Sequence, residues 1–236
     1  MNISKLNGRR GVLVAALLVA ATSAARAENL TAEDKAEIQQ LSASYLTALS
    51  GCKAEAFADL FVPGTGAFAS GFRGRMVGRE MLVKLVQSER HCTGELPNRP
   101  AGNPPTVTIE ATASGVRGIV SLGQAEYQDE YAKTAHGWRF ASRTVIVAAE
   151  KAAGLDASGM LAIQKLGGPS LGDYYQPDPK GVGRLLTSGV RITAKDGEVT
   201  GRAFQKDGSY DDQVYEKTAS GEWRVKSSTH VPAPAH

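Results

Sequence analysis

The chain has 236 residues, 42% of them hydrophobic, with 27 lysines and arginines against 24 aspartates and glutamates, which is enough for one substantial core or two small ones. Four of the basic residues, Lys5, Arg9, Arg10 and Arg26, precede the first acidic one, Glu28. The remainder is near neutral and shows no phosphate-binding stripe, so no nucleic-acid partner is expected.

Residues 1–27 read as a secretory signal: Lys5, Arg9 and Arg10 form a basic start, Gly11–Ala21 is apolar, and Ala25-Arg26-Ala27 is a small-residue cleavage site. The apolar run is about half of what a membrane span needs, so a periplasmic or secreted protein, with no membrane contact after cleavage, is expected. An uncleaved interfacial anchor is the alternative, and Arg9-Arg10 also fits a twin-arginine route.

Thr31-Ala-Glu-Asp34 resembles a capping box, and Ile38, Leu41, Tyr45 and Leu49 recur at helical steps, which predicts a first helix over Thr31–Ser50 with Tyr45 on its buried stripe. A short helix over Ala54–Phe61 is stopped by Pro63. Gly64–Gly78 reads as an irregular strand or hairpin, and a third helix over Arg79–Arg90 carries Leu82, Leu85 and Val86 inward. Glu95–Pro105 is a loop. Val107, Ile109 and Ala111 alternate with polar residues as a half-buried strand. A longer strand runs from Val116 to Lys133, and a turn at Ala135-His136-Gly137 leads into Trp138–Ala148.

The last third differs in composition. Ser158–Leu166 suits a helix, and Gly167–Gly183, with three prolines and Tyr174-Tyr175, suits a loop or lid. Strand-like runs follow near 184–194, 198–206, 209–218 and 222–231, two of them joined by Asp196-Gly197 and Asp207-Gly208, the dipeptide of tight hairpins. Tyr131-Ala-Lys-Thr-Ala-His-Gly-Trp-Arg is echoed from Tyr215 to Arg224, either as a vestigial repeat or as convergent turn chemistry. The expected organisation is a leader (1–27), an α+β domain (28–149), a helix and lid or linker (150–183), and a β-meander extension (184–236) that must bury its apolar face on the first domain or on a neighbouring subunit.

Several strings resemble the nuclear transport factor 2-like superfamily, in particular its SnoaL-like branch: Tyr45-Leu-Thr-Ala-Leu-Ser-Gly, Phe57-Ala-Asp-Leu-Phe61, Gly78-Arg79-Glu80, and Asp129-Glu-Tyr131 through Gly137-Trp138-Arg139-Phe140. The resemblance spans roughly Leu30–Val147. It implies a cystatin-like cone, three helices on a strongly curved antiparallel sheet, and an architecture shared by isomerases, dehydratases, cyclases, lyases and binders. Steroid isomerases of this superfamily place a tyrosine where Tyr45 stands and an acidic oxyanion partner where Asp129 stands. Their general base falls at Ala69–Ser70, where this chain has no carboxylate. That points toward lyases that need no cofactor.

The candidate catalytic residues are therefore His91, Asp129 and Tyr45. His91 follows the third helix and suits a proton shuttle, or else a helix-end residue bonding a carbonyl. Tyr45 packs in the core or donates to an oxyanion. Alternation puts Tyr127, Asp129 and Tyr131 on one strand face. If that face lines the cone, Asp129 is a pocket acid able to donate or to orient His91; if it faces solvent, Asp129 is a surface charge. Tyr127, Tyr131, Arg73, Arg143 and Glu89 are the candidate substrate-binding residues, the arginines for an anionic or phenolic group. Cys52 and Cys92 form a disulfide in an exported protein, or remain as buried thiols. No metal-ligand spacing, dinucleotide fingerprint or nucleophile elbow is present, so no metal or cofactor is expected. The reading is a cofactor-independent lyase or isomerase acting on a small, apolar, aromatic substrate. Its alternatives are a binding protein for a hydrophobic molecule and an oligomerisation module, with a homo-oligomer expected.

Overall fold

The computed structural model describes residues 30–97, 100, 102–166, 174–177, 183–186, 190–205 and 207–233. The expected leader therefore lies outside the described residues. Among these residues no helix is long and apolar enough to cross a membrane.

Helix α1, Ala32–Ser50, opens on Thr31, whose hydroxyl accepts the Asp34 N–H while the Asp34 carboxylate accepts the Thr31 N–H, both at 3.1 Å. Ile38, Leu41, Ser42, Tyr45 and Ala48 form its buried side. Helix α2 covers only Ala54–Ala58. It ends before Phe61 because the chain is captured by a strand: Phe140 donates its N–H to the Leu60 carbonyl and Val62 donates to that of Phe140, both at 2.9 Å. Strands β1 (Ala67–Ser70) and β2 (Gly74–Val77) form a hairpin, and helix α3 covers Arg79–Gln87, after which the chain turns. Strands β3 (Thr108–Thr112), β4 (Gly115–Leu122), β5 (Ala125–Thr134) and β6 (Gly137–Val147) complete a six-stranded sheet in the order β2-β1-β6-β5-β4-β3. The α+β cone is present, but its sheet is mixed rather than purely antiparallel, because β1 runs parallel to β6. A parallel neighbour needs a long crossover, which α3 to β5 supplies.

The concave face is covered by α1–α3. Its core joins Ile38, Tyr45, Phe57, Phe61, Met76, Leu82, Leu85, Val120, Trp138 and Phe140, all buried. One irregularity decides which side chains of β6 reach this core. Tyr131 pairs with Phe140 but Glu130 pairs with Ser142, so Ala141 is a β-bulge. The extra residue resets the alternation: Trp138 and Phe140 point inward before it, Arg143 and Val145 after it, while Ile146 belongs to the core on the opposite face.

That opposite face carries helices α4 (Ala148–Ala152) and α5 (Ala157–Leu166). Helix α4 lies where the sequence pattern continued the strand to Ala148; Glu150 starts it by accepting the Val147 N–H at 2.9 Å. Strands β7 (Tyr174–Pro177) and β8 (Gly183–Leu186) pair as a hairpin where a loop or lid was expected; the rest of that segment lies outside the described residues. Strands β9 (Val190–Lys195), β10 (Glu198–Phe204), β11 (Tyr210–Lys217) and β12 (Trp223–Val231) form an antiparallel meander. Asp196 and Gly197 both have positive φ, 52° and 80°, as a tight hairpin requires. At the other Asp-Gly only Gly208 does, because Asp207 instead accepts from the Ser209 N–H and hydroxyl. The meander buries Val190, Ile192, Val199, Ala203 and Tyr215 against Leu155, Met160, Ile163 and Ile146 of the same chain. At the seam Ile192 donates its N–H to the Gly71 carbonyl at 2.7 Å.

The two sheets share a register. Gly118 faces the Tyr131 ring and Val107, and Gly201 faces the Tyr215 ring and Val190 in the same manner. Val116 and Gly118 pair with Tyr131 and Asp129; Val199 and Gly201 pair with Tyr215 and Gln213. The bulge recurs at Lys226, between Val225 and Ser227, and Lys133 over Trp138 is matched by Lys217 over Trp223. The echo in the sequence is thus a repeat of β3–β6 geometry, with α5 beside the sheet in place of three helices. Where the first sheet pairs Asp129 with Arg143, the second pairs Gln213 with Ser228.

Candidate functional site

The bulge at Ala141 delivers Arg143 to the concave face directly opposite Asp129 on β5. Arg143 Nε donates to Asp129 Oδ1 at 2.8 Å and Nη2 to Oδ2 at 2.7 Å. Their side chains are 1% and 0% exposed, so this is a bidentate pair removed from water. Tyr131 adds its hydroxyl to Asp129 Oδ2 at 2.7 Å, and Nη2 also donates to Ser42 Oγ on α1 at 3.0 Å. Three rings enclose the guanidinium carbon: Tyr45 and Phe140 at 4.2 Å and Tyr127 at 4.3 Å.

The electrostatics follow from this packing. Burial works against the Arg143 charge, but Asp129 beside it overrides burial and raises its pKa. Burial pushes the Tyr45 hydroxyl well above its ordinary value, and the adjoining Tyr127 hydroxyl adds to the shift. Burial and then the Asp129 charge do the same to Tyr131. All three stay protonated through the physiological range, so the centre is a set of fixed donors around one carboxylate. Nη1 of Arg143 has no acceptor among the described residues.

The structure thus brings together Asp129, Tyr45, Tyr127, Tyr131 and Arg143. It does not bring His91 to them. His91 is half-buried beside Cys92, and its Nε2 lies 2.9 Å from the Leu49 carbonyl. Leu49 is seven residues beyond Ser42 on α1, roughly 10 Å along the helix axis at 1.5 Å per residue. The expected His91–Asp129 proton-transfer unit is not formed, because Cys92, disulfide-bonded to Cys52, holds this segment at the C-terminal end of α1. Asp129 is not a lone acid in an apolar wall either; Arg143 and Tyr131 occupy its oxygens. Arg73 and Glu89 meet each other at 2.7 Å beyond the end of α3, where Arg73 also donates to Ser88 Oγ at 3.1 Å.

Ser42 was missed by the sequence reading. Its signal was a hydroxyl interrupting the apolar stripe one turn before Tyr45. Among the described residues, Cys52, His91 and Cys92 are the group of possible metal ligands that lies close together.

Fold and site together define a cystatin-like cone closed around a buried arginine–carboxylate centre. Residues 30–144 match the family model of the SnoaL-like domain, in agreement with the resemblance seen in the sequence. Among solved structures, it is similar to a hexachlorocyclohexane dehydrochlorinase from Novosphingobium barchaimii, at 18% identity over 49% of this chain and 86% of that one, with a TM-score of 0.39. It is also similar to an Ntf2-like protein with a cystatin-like fold from Novosphingobium aromaticivorans, at 21% identity over 49% and 82%, TM-score 0.36. A domain of unknown function from Nostoc punctiforme matches at 15% identity over 58% and 96%, TM-score 0.40. No curated protein matches the sequence.

Proposed function

We propose that the cone is a binding site for a small, largely apolar aromatic molecule bearing one oxygen function, carried by an exported protein. The observation behind this reading is the guanidinium of Arg143. Its Nε and Nη2 edge is fixed by Asp129, its faces are covered by Tyr45, Tyr127 and Phe140, and its Nη1 is left with no acceptor among the described residues. Burying such a pair costs desolvation that the attraction between the charges seldom overcomes. The second sheet reaches the same register with Gln213 and Ser228 instead, so sheet geometry does not demand the charges. A phenolate or carbonyl oxygen on Nη1, with the guest's ring against Tyr45 and Tyr127, would satisfy the remaining donor and extend the ring cluster.

A second reading, a cofactor-independent lyase or isomerase, draws on the same preorganised donors. Arg143 Nη1 and the Tyr45 hydroxyl would stabilise charge developing on a substrate oxygen in a site shielded from water. In that reading the proton is accepted by a group of the substrate or by water, since His91 is elsewhere.

One experiment separates the two. The purified chain is incubated without cofactor with a panel of phenols, aryl ketones and enones, and thermal stabilisation and product formation are both read. Stabilisation without product supports the binding site. Product selects the enzyme, and neither effect rejects both readings. Tyr45→Phe keeps the ring over Arg143 but removes the hydroxyl, so affinity or turnover is expected to fall about tenfold with little change in melting temperature.

A further inference from the structure

We propose that Cys52, Cys92 and His91 form a redox-gated site for a thiophilic cation such as Zn2+, closed while the disulfide stands and opened when it is reduced. Spacing in the sequence did not suggest it, because Cys52 comes from the turn after α1 and the other two from the turn after α3. The fold places both sulfurs and a ring nitrogen of His91 within 4.8 Å of one another. In a tetrahedral site with metal–sulfur bonds of about 2.3 Å and metal–nitrogen bonds of about 2.0 Å, ligand atoms stand roughly 3.5–3.8 Å apart, so small side-chain rotations suffice.

Two further features suit a metal rather than a disulfide alone. The first is the hydrogen bond of His91. A carbonyl only accepts, so the Nε2 that contacts Leu49 O at 2.9 Å donates, and in the neutral ring Nδ1 is then the nitrogen with the lone pair. A ligating histidine is commonly oriented in this way, with its other nitrogen donating to a backbone carbonyl. The second is that each turn has a backbone hydrogen bond of its own beside the disulfide: Lys53 donates its N–H to Ala48 O at 2.9 Å and Cys92 to Glu89 O at 2.8 Å. All three side chains are half-buried, so an ion can enter and a water can take the fourth position.

The chemistry balances with a dithiol as reductant. Two electrons break the Cys52–Cys92 bond, the dithiol is oxidised to its own disulfide, and its two protons pass to the cysteine sulfurs. Binding of the cation then releases both protons to solvent as the two thiolates coordinate.

The test reduces the full chain with a phosphine, which is oxidised to its oxide, removes the excess under argon, and titrates with Co2+ as a spectroscopic stand-in for zinc. One equivalent per chain is expected, with thiolate-to-cobalt charge transfer in the near ultraviolet, tetrahedral bands in the visible, and their loss on adding Zn2+. The oxidised chain and Cys52→Ser should show none of these, and His91→Ala should bind at least about tenfold more weakly. Far-ultraviolet dichroism of a Cys52→Ser/Cys92→Ser chain shows whether the fold survives without the bond. If that chain is folded and the reduced wild type takes up no cobalt, or if His91→Ala binds as tightly as wild type, the proposal is overturned. If the double variant is unfolded, cobalt must restore the dichroism of the reduced wild type, and failure to do so overturns it equally.

Discussion

Arg143 and Asp129 show how far one buried pair can depart from what either residue type suggests. Removing one partner leaves an unpaired charge among Tyr45, Tyr127 and Phe140, so Arg143→Met and Asp129→Leu are each expected to cost about 3–5 kcal/mol. The double variant should lose less than either single one, because no charge is then stranded. Urea denaturation of the three variants measures this, and a double loss equal to the sum of the singles would mean that the two residues do not act as a pair. Period two in Tyr127-Gln-Asp-Glu-Tyr131 was enough to place Asp129 and both tyrosines on one face. Their partner was harder to find, since the parity of Trp138-Arg-Phe140 carried through to Arg143 would turn the guanidinium outward. Only the bulge at Ala141 reverses it, and nothing in Phe-Ala-Ser-Arg announces a bulge. His91 failed for a different reason: its position after α3 was legible, but the depth of that turn relative to the cone was set by a contact with α1.

Helix α1 is fastened to the β5–β6 hairpin through Asp34. Its Oδ1 accepts from the Lys133 ammonium and, at 2.8 Å, from the Trp138 indole N–H, while Thr31 bonds the other oxygen. The Lys133 bond first, then Trp138 and Thr31, hold this carboxyl well below its usual range. A carboxyl whose pKa is lower in the folded state stabilises the fold fully above its unfolded value, near pH 4, and ceases to do so as the pH falls below that. Stability to urea should therefore fall progressively as the pH is lowered from about 4 into strong acid, and Asp34→Asn should flatten that fall while lowering stability at neutral pH. An unchanged acid limb in the variant would rule the fastening out. The helix itself was readable from Thr31-Ala-Glu-Asp34, which forms a reciprocal cap. The end of α2 was not, because Leu60–Val62 bonds to β6 and tertiary pairing overrides the local pattern.

At the scale of the molecule, the seam between the sheets is narrow at Gly71. A Cβ there would stand 2.3 Å from Glu150 Oε1 and 2.7 Å from the Ile192 carbonyl oxygen, and backbone cannot move aside cheaply. Gly71→Ala should therefore cost about 1–3 kcal/mol by prising the meander from the first sheet, seen as a lower denaturation midpoint. A variant as stable as wild type would show the seam to be loose. The apolar alternation and Asp-Gly turns made the meander visible in the sequence. Its shared geometry with β3–β6 showed only as the Tyr-x-Lys-Thr echo, because the residues that carry the register, Gly201, Val190 and the bulge at Lys226, have no local signature. Strand β6 is clad on both sides, with Ser142, Thr144 and Ile146 buried on the face away from Arg143. Those layers act as electrical insulation as well as packing. Stripping away α4, α5 and the meander would let solvent stand one strand's thickness behind the guanidinium, and the weakened field would dull its hold on an anion without any atom of the cone being altered.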